Sequence, residues 1–395
     1  MSAFVVVAVV SGVCAAAGTA ATSEAVRYVS PEPAGLGDGT AAENAAAYTD
    51  AAFWEAVRTE LAARPVTVRF LPGEYADGDL TLRDMGNGEH RLGLEGAGEG
   101  RAVFVERAEE GEERPNTGLY LKGCENVVIR NLHFTGPGKT GYISHFNGKD
   151  ILLEACTWCD LPNIRYGAAG STHESTERVV YRGCTFRRIG LNGGAHMIYN
   201  AYGPRHVYVV DCLFEDCAGD YVRWRDASDY CVARGCTFRS TGTWPPDEPV
   251  HGRFLSVPLF SDVDPGDEFF GTHFVVADNT FDYVAIQAGG MRTALAFLHK
   301  GYDPPGLHHL MTPEEGAVLE NGTAAERKAL LKRNCTIDTS EVRMFGNTYI
   351  NAAYKATFTS SAAFGAEDKG WSGIAEIFDL LNHEAVFPDW LKPLP

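Results

Sequence analysis

The chain has 395 residues and a formal net charge of −18, too long for one ordinary hydrophobic core but not for an architecture that grows along an axis. An acidic balance of this size excludes nucleic acid as a general partner, and any polyanionic ligand needs a local basic patch to overcome the field.

Residues 3–17, AFVVVAVVSGVCAAA, form the one long apolar run. It is too short for a membrane span, and the small residues after it suit signal-peptidase cleavage. The run therefore predicts a signal peptide over 1–21, one domain over 22–395, and a secreted or periplasmic protein with no membrane span. Next come a G-L-G-D-G-T turn at 35–40, an Ala-rich helical run over 44–63, and VTVRFLPGEY at 66–75, a strand that ends in a Pro-Gly turn.

A repeat occupies most of the chain beyond this strand. Phe134, Trp158, Phe186, Phe214, Phe238, Phe281 and Tyr349 close similar runs, among them VVIRNLHF, VVYRGCTF and VYVVDCLF. Their separations are 24, 28, 28, 24, 43 and 68 residues; the first four match single coils of a solenoid and the last two match coils with insertions. Alternation of Val, Ile, Leu and Cys with Arg, Asp and Glu marks strands with one buried face. Cys156, Cys184, Cys212 and Cys236 each precede an aromatic residue by two places, which predicts an interior ladder of free thiols. Cys156 and Cys159 form a lone C-x-x-C with no second pair to complete a zinc site; a disulfide from Cys217 to a neighbour stays open.

The insertion near 242–271 is rich in Pro and Gly and reads as a loop. The one at about 285–339 holds TPEE at 312–315, a capping-box start, and a helical run to Lys332 broken at Asn321-Gly322. The tail over 370–390 contains an amphipathic run, IAEIFDLLNHEAVF, expected to cover the C-terminal end of the stack.

The G-D-G-T turn, the helix and the V-x-F-L-P-G-x-Y strand together resemble the N-terminal segment of the pectate-lyase-3 type of pectin-lyase-like right-handed β-helices. The resemblance covers this segment and the coils to about residue 284. It implies an all-β, right-handed parallel β-helix with an N-terminal capping helix (cap about 35–75, coils about 76–284), a helical insertion at about 285–339, and a last coil with a C-terminal cap over 340–395.

One stretch concentrates polar side chains. His196, Tyr199, Cys212 and Phe214 recur 24 residues on as Asp220, Arg223, Cys236 and Phe238. Residues one coil apart stack at about 4.8 Å, so Tyr199 and Arg223 are expected to be neighbours, with Arg225 beside them. If Ile164, Ile198 and Val222 point inward, Arg165, Tyr199 and Arg223 point outward. Counting back from the turns adds His145, and the next coil adds His251 and Arg253. His196 and Asp220 at strand starts either face the groove or satisfy turn backbone. Arg suits bidentate capture of carboxylate.

The implied family chemistry offers two classes. A lyase removes the proton alpha to a uronate carboxylate and expels the 4-linked sugar; it needs a carboxylate clamp and proton-transfer groups. Arg223 with Arg165 or Arg225 fits the clamp, and Tyr199 or His196 fits the proton transfers, since a cation favours a neighbouring phenolate. His145, Asp220, His251 and Arg253 complete the substrate-binding candidates for an acidic polysaccharide. A glycosidase needs paired carboxylates, and the Asn-Thr-Asp, Asp-Asp and Gly-His-Gly pattern of polygalacturonases is missing; Val250-His251-Gly252 is the nearest fragment. The Arg-x-Pro-x-x-Arg segment of calcium-dependent pectate lyases is missing too. No cofactor is required by the residues, with Asp220, Asp226 and Asp229 as the open calcium alternative. A non-catalytic carbohydrate-binding or cell-surface module is the third class.

Overall fold

The computed structural model describes residues 23–76, 78–86, 88–107, 114–260, 271–284, 292–300, 341–361 and 374–391, with a few positions between 314 and 326. The signal-peptide expectation at 1–21 lies outside the described residues.

The chain winds as a right-handed parallel β-helix with three faces. The aromatic face is a nine-stranded parallel sheet. Its register aligns Tyr75, Phe104, Phe134, Trp158, Phe186, Phe214, Phe238, Phe281 and Tyr349, one per coil. Adjacent rings stack with centroids 4.5 Å apart at Trp158–Phe186 and 4.8 Å at Phe214–Phe238. Burying each ring stabilises the fold by about 1.5–3 kcal/mol, and the constant phase locks the coil register. The sequence markers identify seven of these rungs; Tyr75 and Phe104 extend the ladder toward the N-terminus. The other two faces join through the long strands Arg114–Arg130 and Thr140–Glu154. The stack begins earlier than the expected boundary near 76, because Ala25–Ser30 already pairs in parallel with Val66–Phe70.

The cap is a helix over Ala51–Leu61, shorter than the 44–63 run expected. Asp50 caps it by accepting from the Ala52 amide at 2.8 Å, a contact worth about 1 kcal/mol. It buries Phe53, Trp54, Val57 and Leu61 against the first coils, and Trp54 Nε1 donates to the Tyr48 carbonyl at 2.7 Å.

Toward the C-terminus two expectations change and one is met. The region assigned to a helical insertion from about 285 contains the strand Thr293–Lys300, which pairs with Leu255–Phe260 and Tyr354–Ser361 and belongs to the coils; beyond it, Glu314, Ala317 and Val318 are helical. The C-terminal amphipathic run closes the stack with an antiparallel strand, Ile374–Glu376, on Tyr354–Ser361 and a short 3-10 turn, Phe378–Leu380. On the back face the outward row is apolar: Val128, Leu152, Val180, Tyr208, Val232 and Val275 are aligned and buried. Phe387, Trp390 and Leu391 of the tail pack on that cluster, so an extended tail covers it where the sequence pattern suggests charge.

The cysteine ladder is present. Cys184 and Cys212 donate their backbone N–H groups to Cys212 Sγ at 3.4 Å and Cys236 Sγ at 3.5 Å. The same role passes to Asn279 and then Asn347, whose Oδ1 atoms each accept a backbone amide at 2.9 Å. Cys156, Cys184, Cys212, Cys217 and Cys236 are all free and buried, which leaves the open Cys217 alternative without a disulfide. Thiol titration of the denatured, unreduced protein is expected to label Cys184, Cys212 and Cys236, while the native protein protects them. Any of the three unreactive after denaturation contradicts the ladder.

Candidate active site

The site lies on the face formed by Ile164–Ser171, His196–Asn200, Val222–Trp224 and Leu255–Phe260. Ala169, Ile198, Val222 and Leu255 are paired in register and point into the core. Alternation then turns the neighbouring row, Gly170, Tyr199, Arg223 and Ser256, outward. The expected Tyr199–Arg223 stack is therefore formed, with the Arg223 guanidinium carbon 5.6 Å from the Tyr199 ring centre.

These outward side chains are buried. Tyr199 is 7% exposed, Arg223 9%, Arg225 8% and Ser256 0%. Tyr142, two coils earlier, lies edge-on to Tyr199 with centroids 6.2 Å apart. Two glycines make room for it. A Cβ at Gly170 would lie 2.0 Å from the Tyr199 carbonyl oxygen and 3.2 Å from Tyr142 Cε1; one at Gly167 would meet Tyr142 Cε1 and Tyr199 Cβ at 3.0 Å.

Asp220 organises the charges. Its Oδ2 accepts from Arg223 Nε at 3.0 Å, Arg223 Nη2 at 2.6 Å and Ser256 Oγ at 2.7 Å, and its Oδ1 accepts from Arg253 Nε at 2.7 Å. Burial opposes ionisation, but Arg253 and Arg223 outweigh it and hold the carboxyl well below the usual carboxylate range. Asp220 is therefore a positioning residue for two guanidinium groups, a correction to its assignment as a substrate contact. Arg225 Nη1 donates to Tyr199 Oη at 2.8 Å. Three guanidinium groups, from Arg223, Arg225 and Arg253, thus gather beside one carboxylate and one phenol.

His196 is buried, and its ring stacks on Tyr199 with centroids 5.3 Å apart. The Asp220 amide donates to its Nδ1 at 3.1 Å. The Asp220 carbonyl oxygen lies 3.3 Å from the same nitrogen. Burial, aided by the Arg223 charge, pushes His196 well below the ordinary imidazole range. At neutral pH the ring is neutral.

Arg165, His145 and His251 take positions other than those expected. Arg165 is not in the Tyr199 row, because Gly170 pairs with Tyr199 while Ile164 pairs with Thr140. The strand is longer than the repeat suggests and carries Arg165 to its outer end, 5.1 Å over the Tyr166 ring. His145 lies in the strand Thr140–Glu154. It pairs with Tyr120, stacks between Tyr120 and Tyr142 at 5.1 and 4.8 Å, and has Thr172 Oγ1 at 2.9 Å from Nε2. His251 is directed to a corner, with Nδ1 2.7 Å from Ser240 Oγ and the ring edge-on to Tyr283. Among the described residues no group of three or more His, Cys, Asp or Glu is placed to hold a metal ion. Of the calcium alternatives, Asp220 is engaged by arginines and Asp229 accepts the Thr272 and His273 amides. Sequence reasoning missed Tyr142, which reaches the site across the glycines of the intervening coil, and Ser256, because the segment read as a loop over 242–271 contains the coil strand Leu255–Phe260.

Burial pushes His145 down to about 4, alongside the lowered His196. Both folded values lie below the ordinary 6.5 or so, so the unfolded chain binds more protons as pH falls. The stability they contribute is present above about pH 6.5 and is lost as pH drops toward 4. For His145 alone a shift of this size corresponds to about 3 kcal/mol. Denaturation midpoints measured between pH 7 and 4.5 are expected to fall, and a flat profile contradicts this account.

The fold and site define a parallel β-helix with a buried cationic cluster around one tyrosine. No family profile matches the chain, and no curated protein does. Solved structures do. The pectate lyase Pel9A aligns with 14% identity over 87% of this chain and 79% of that one, at a TM-score of 0.47. A rhamnogalacturonan lyase aligns with 9% identity over 70% and 74%, at 0.37. A mannuronic-acid-specific family 6 polysaccharide lyase from human gut microbiota aligns with 11% identity over 71% and 81%, at 0.34.

Proposed function

We propose that the protein is a secreted polysaccharide lyase that cleaves a uronate-containing polysaccharide by β-elimination. The observation that carries this reading is the contact of Arg225 Nη1 with Tyr199 Oη at 2.8 Å inside a cluster that also holds Arg223 and Arg253. The pectate-lyase-3-like N-terminal segment and the signal-like run over 1–21 are in keeping with it.

In this reading the guanidinium groups neutralise the uronate carboxylate and stabilise the enolate-like charge that grows as the alpha proton leaves. Tyr199 Oη takes that proton, held in place by the Arg225 Nη1 donor. The electron pair becomes the new carbon–carbon double bond, the bond to the 4-linked oxygen breaks, and the proton passes to the departing oxygen. Water is not consumed. His196, held neutral by burial, orients Tyr199 through ring stacking.

A retaining or inverting hydrolase needs two carboxyl groups across the scissile bond. Asp220, with both oxygens engaged, does not supply the first. Because arginines provide the neutralising charge here, chelator treatment is expected to leave activity intact; loss of activity restored by calcium overturns that part. The reading itself is tested by incubating the protein with pectic, alginate and glucuronan-type polymers and measuring ultraviolet absorbance of unsaturated ends. Growth of absorbance with at least one polymer supports it. New reducing ends without absorbance refute it.

A further inference from the structure

Beside the tyrosine cluster lies a cavity of about 250 Å³ lined by Lys139, Asn163, Ile164, Arg165 and Asn192. Its lining comes from three successive coils, and Lys139, Asn163, Arg165 and Asn192 are all exposed. The cavity offers donors. Lys139 and Arg165 carry positive charge. Asn163 Nδ2 spends one hydrogen on the Pro137 carbonyl at 2.7 Å. Asn192 Oδ1 is taken by the Gly194 amide at 3.0 Å, so its remaining capacity is its amide hydrogens. On a chain of net charge −18, two cations and two amides converging on one concavity favour an anion.

The position fixes which anion. The Arg165 guanidinium lies over the Tyr166 ring at 5.1 Å, Tyr166 is 5.9 Å from Tyr142, and Tyr142 is 6.2 Å from Tyr199. One guanidinium–ring contact and two ring–ring contacts across the coils thus link the cavity to the reacting tyrosine. Tyr166, 42% exposed, forms an apolar bridge of the kind a pyranose face covers. We propose that this cavity is a distal carboxylate subsite: it holds the acid group of a uronate residue remote from the cleaved bond, on the same polysaccharide chain that reaches Tyr199. The inference rests on the lyase reading. It reassigns Arg165 from the reaction centre to chain-length recognition and adds Lys139, Asn163 and Asn192 to the binding surface.

The test uses the full-length Tyr199→Phe protein, so that oligomers are bound without turnover. Oligogalacturonates and oligomannuronates of increasing length, and their methyl esters, are titrated by calorimetry. Free-acid oligomers long enough to reach the cavity are expected to bind about tenfold more tightly than shorter ones, the scale of one charge-assisted contact. That gain is expected to vanish in Arg165→Ala and Lys139→Ala with short-oligomer affinity unchanged, and to be missing for the esters. Retention of the length gain in both variants overturns the subsite. So does an equal loss of affinity at every length, which marks general electrostatics. If the wild-type protein neither binds nor cleaves any of these oligomers, the lyase reading itself fails, a result distinct from either of the others.

Discussion

Replacing Tyr199 by Phe is expected to lower turnover by about 10²–10⁴-fold, the range for loss of a proton-transfer group, while substrate affinity stays within a few-fold. The ring remains, so its contacts with Tyr142 and His196 and its place under Arg223 are kept. Only the oxygen is lost, and with it the Arg225 contact. His196→Ala separates the two proton-transfer candidates. It removes a stacking partner and the acceptor of the Asp220 amide, and is expected to reduce turnover far less than Tyr199→Phe. Steady-state kcat and KM on a cleaved polymer decide between them; full activity in Tyr199→Phe removes this tyrosine from the proton transfer.

The second large effect is on stability. Asp220→Ala removes the carboxylate from the buried Arg223 and the half-buried Arg253, and breaking a buried ion pair from one side costs about 3–5 kcal/mol. Ser256 Oγ loses its acceptor as well. A loss of this size is a large part of the net stability of an ordinary domain, so thermal or urea midpoints are expected to drop steeply. Asp220→Asn keeps the side-chain shape and retains one acceptor oxygen, and is expected to fall between the wild type and Asp220→Ala. Midpoints for Asp220→Ala equal to the wild type show that the carboxylate does not organise the arginines.

Much of the scaffold is legible because a solenoid writes its geometry as a period. Phe186, Phe214 and Phe238 share a phase in the sequence and stack in space, and the same period puts Tyr199 beside Arg223. The failures trace to features a fixed spacing does not encode. Spacing misplaces Arg165 because its strand pairs with the next coil through Gly170, so the phase slips within a coil. Asp220 reads as a ligand because its partners arrive three residues later and from the next coil, inside the 242–271 segment that reads as a loop. The outward row has the polar composition of a solvated surface, but Tyr142 lies over Gly167 and Gly170 and shields it. The apolar back row ending near Val275 has no counterpart in the strand pattern, since its cover comes from the tail, at Phe387, Trp390 and Leu391.

The most direct test of the central claim is mass spectrometry of the products formed from a uronate polymer in heavy-oxygen water. β-Elimination by the Tyr199 cluster predicts new chain ends one water lighter than hydrolysis products, with no solvent oxygen incorporated. Products of full hydrolytic mass carrying the heavy oxygen would contradict the account.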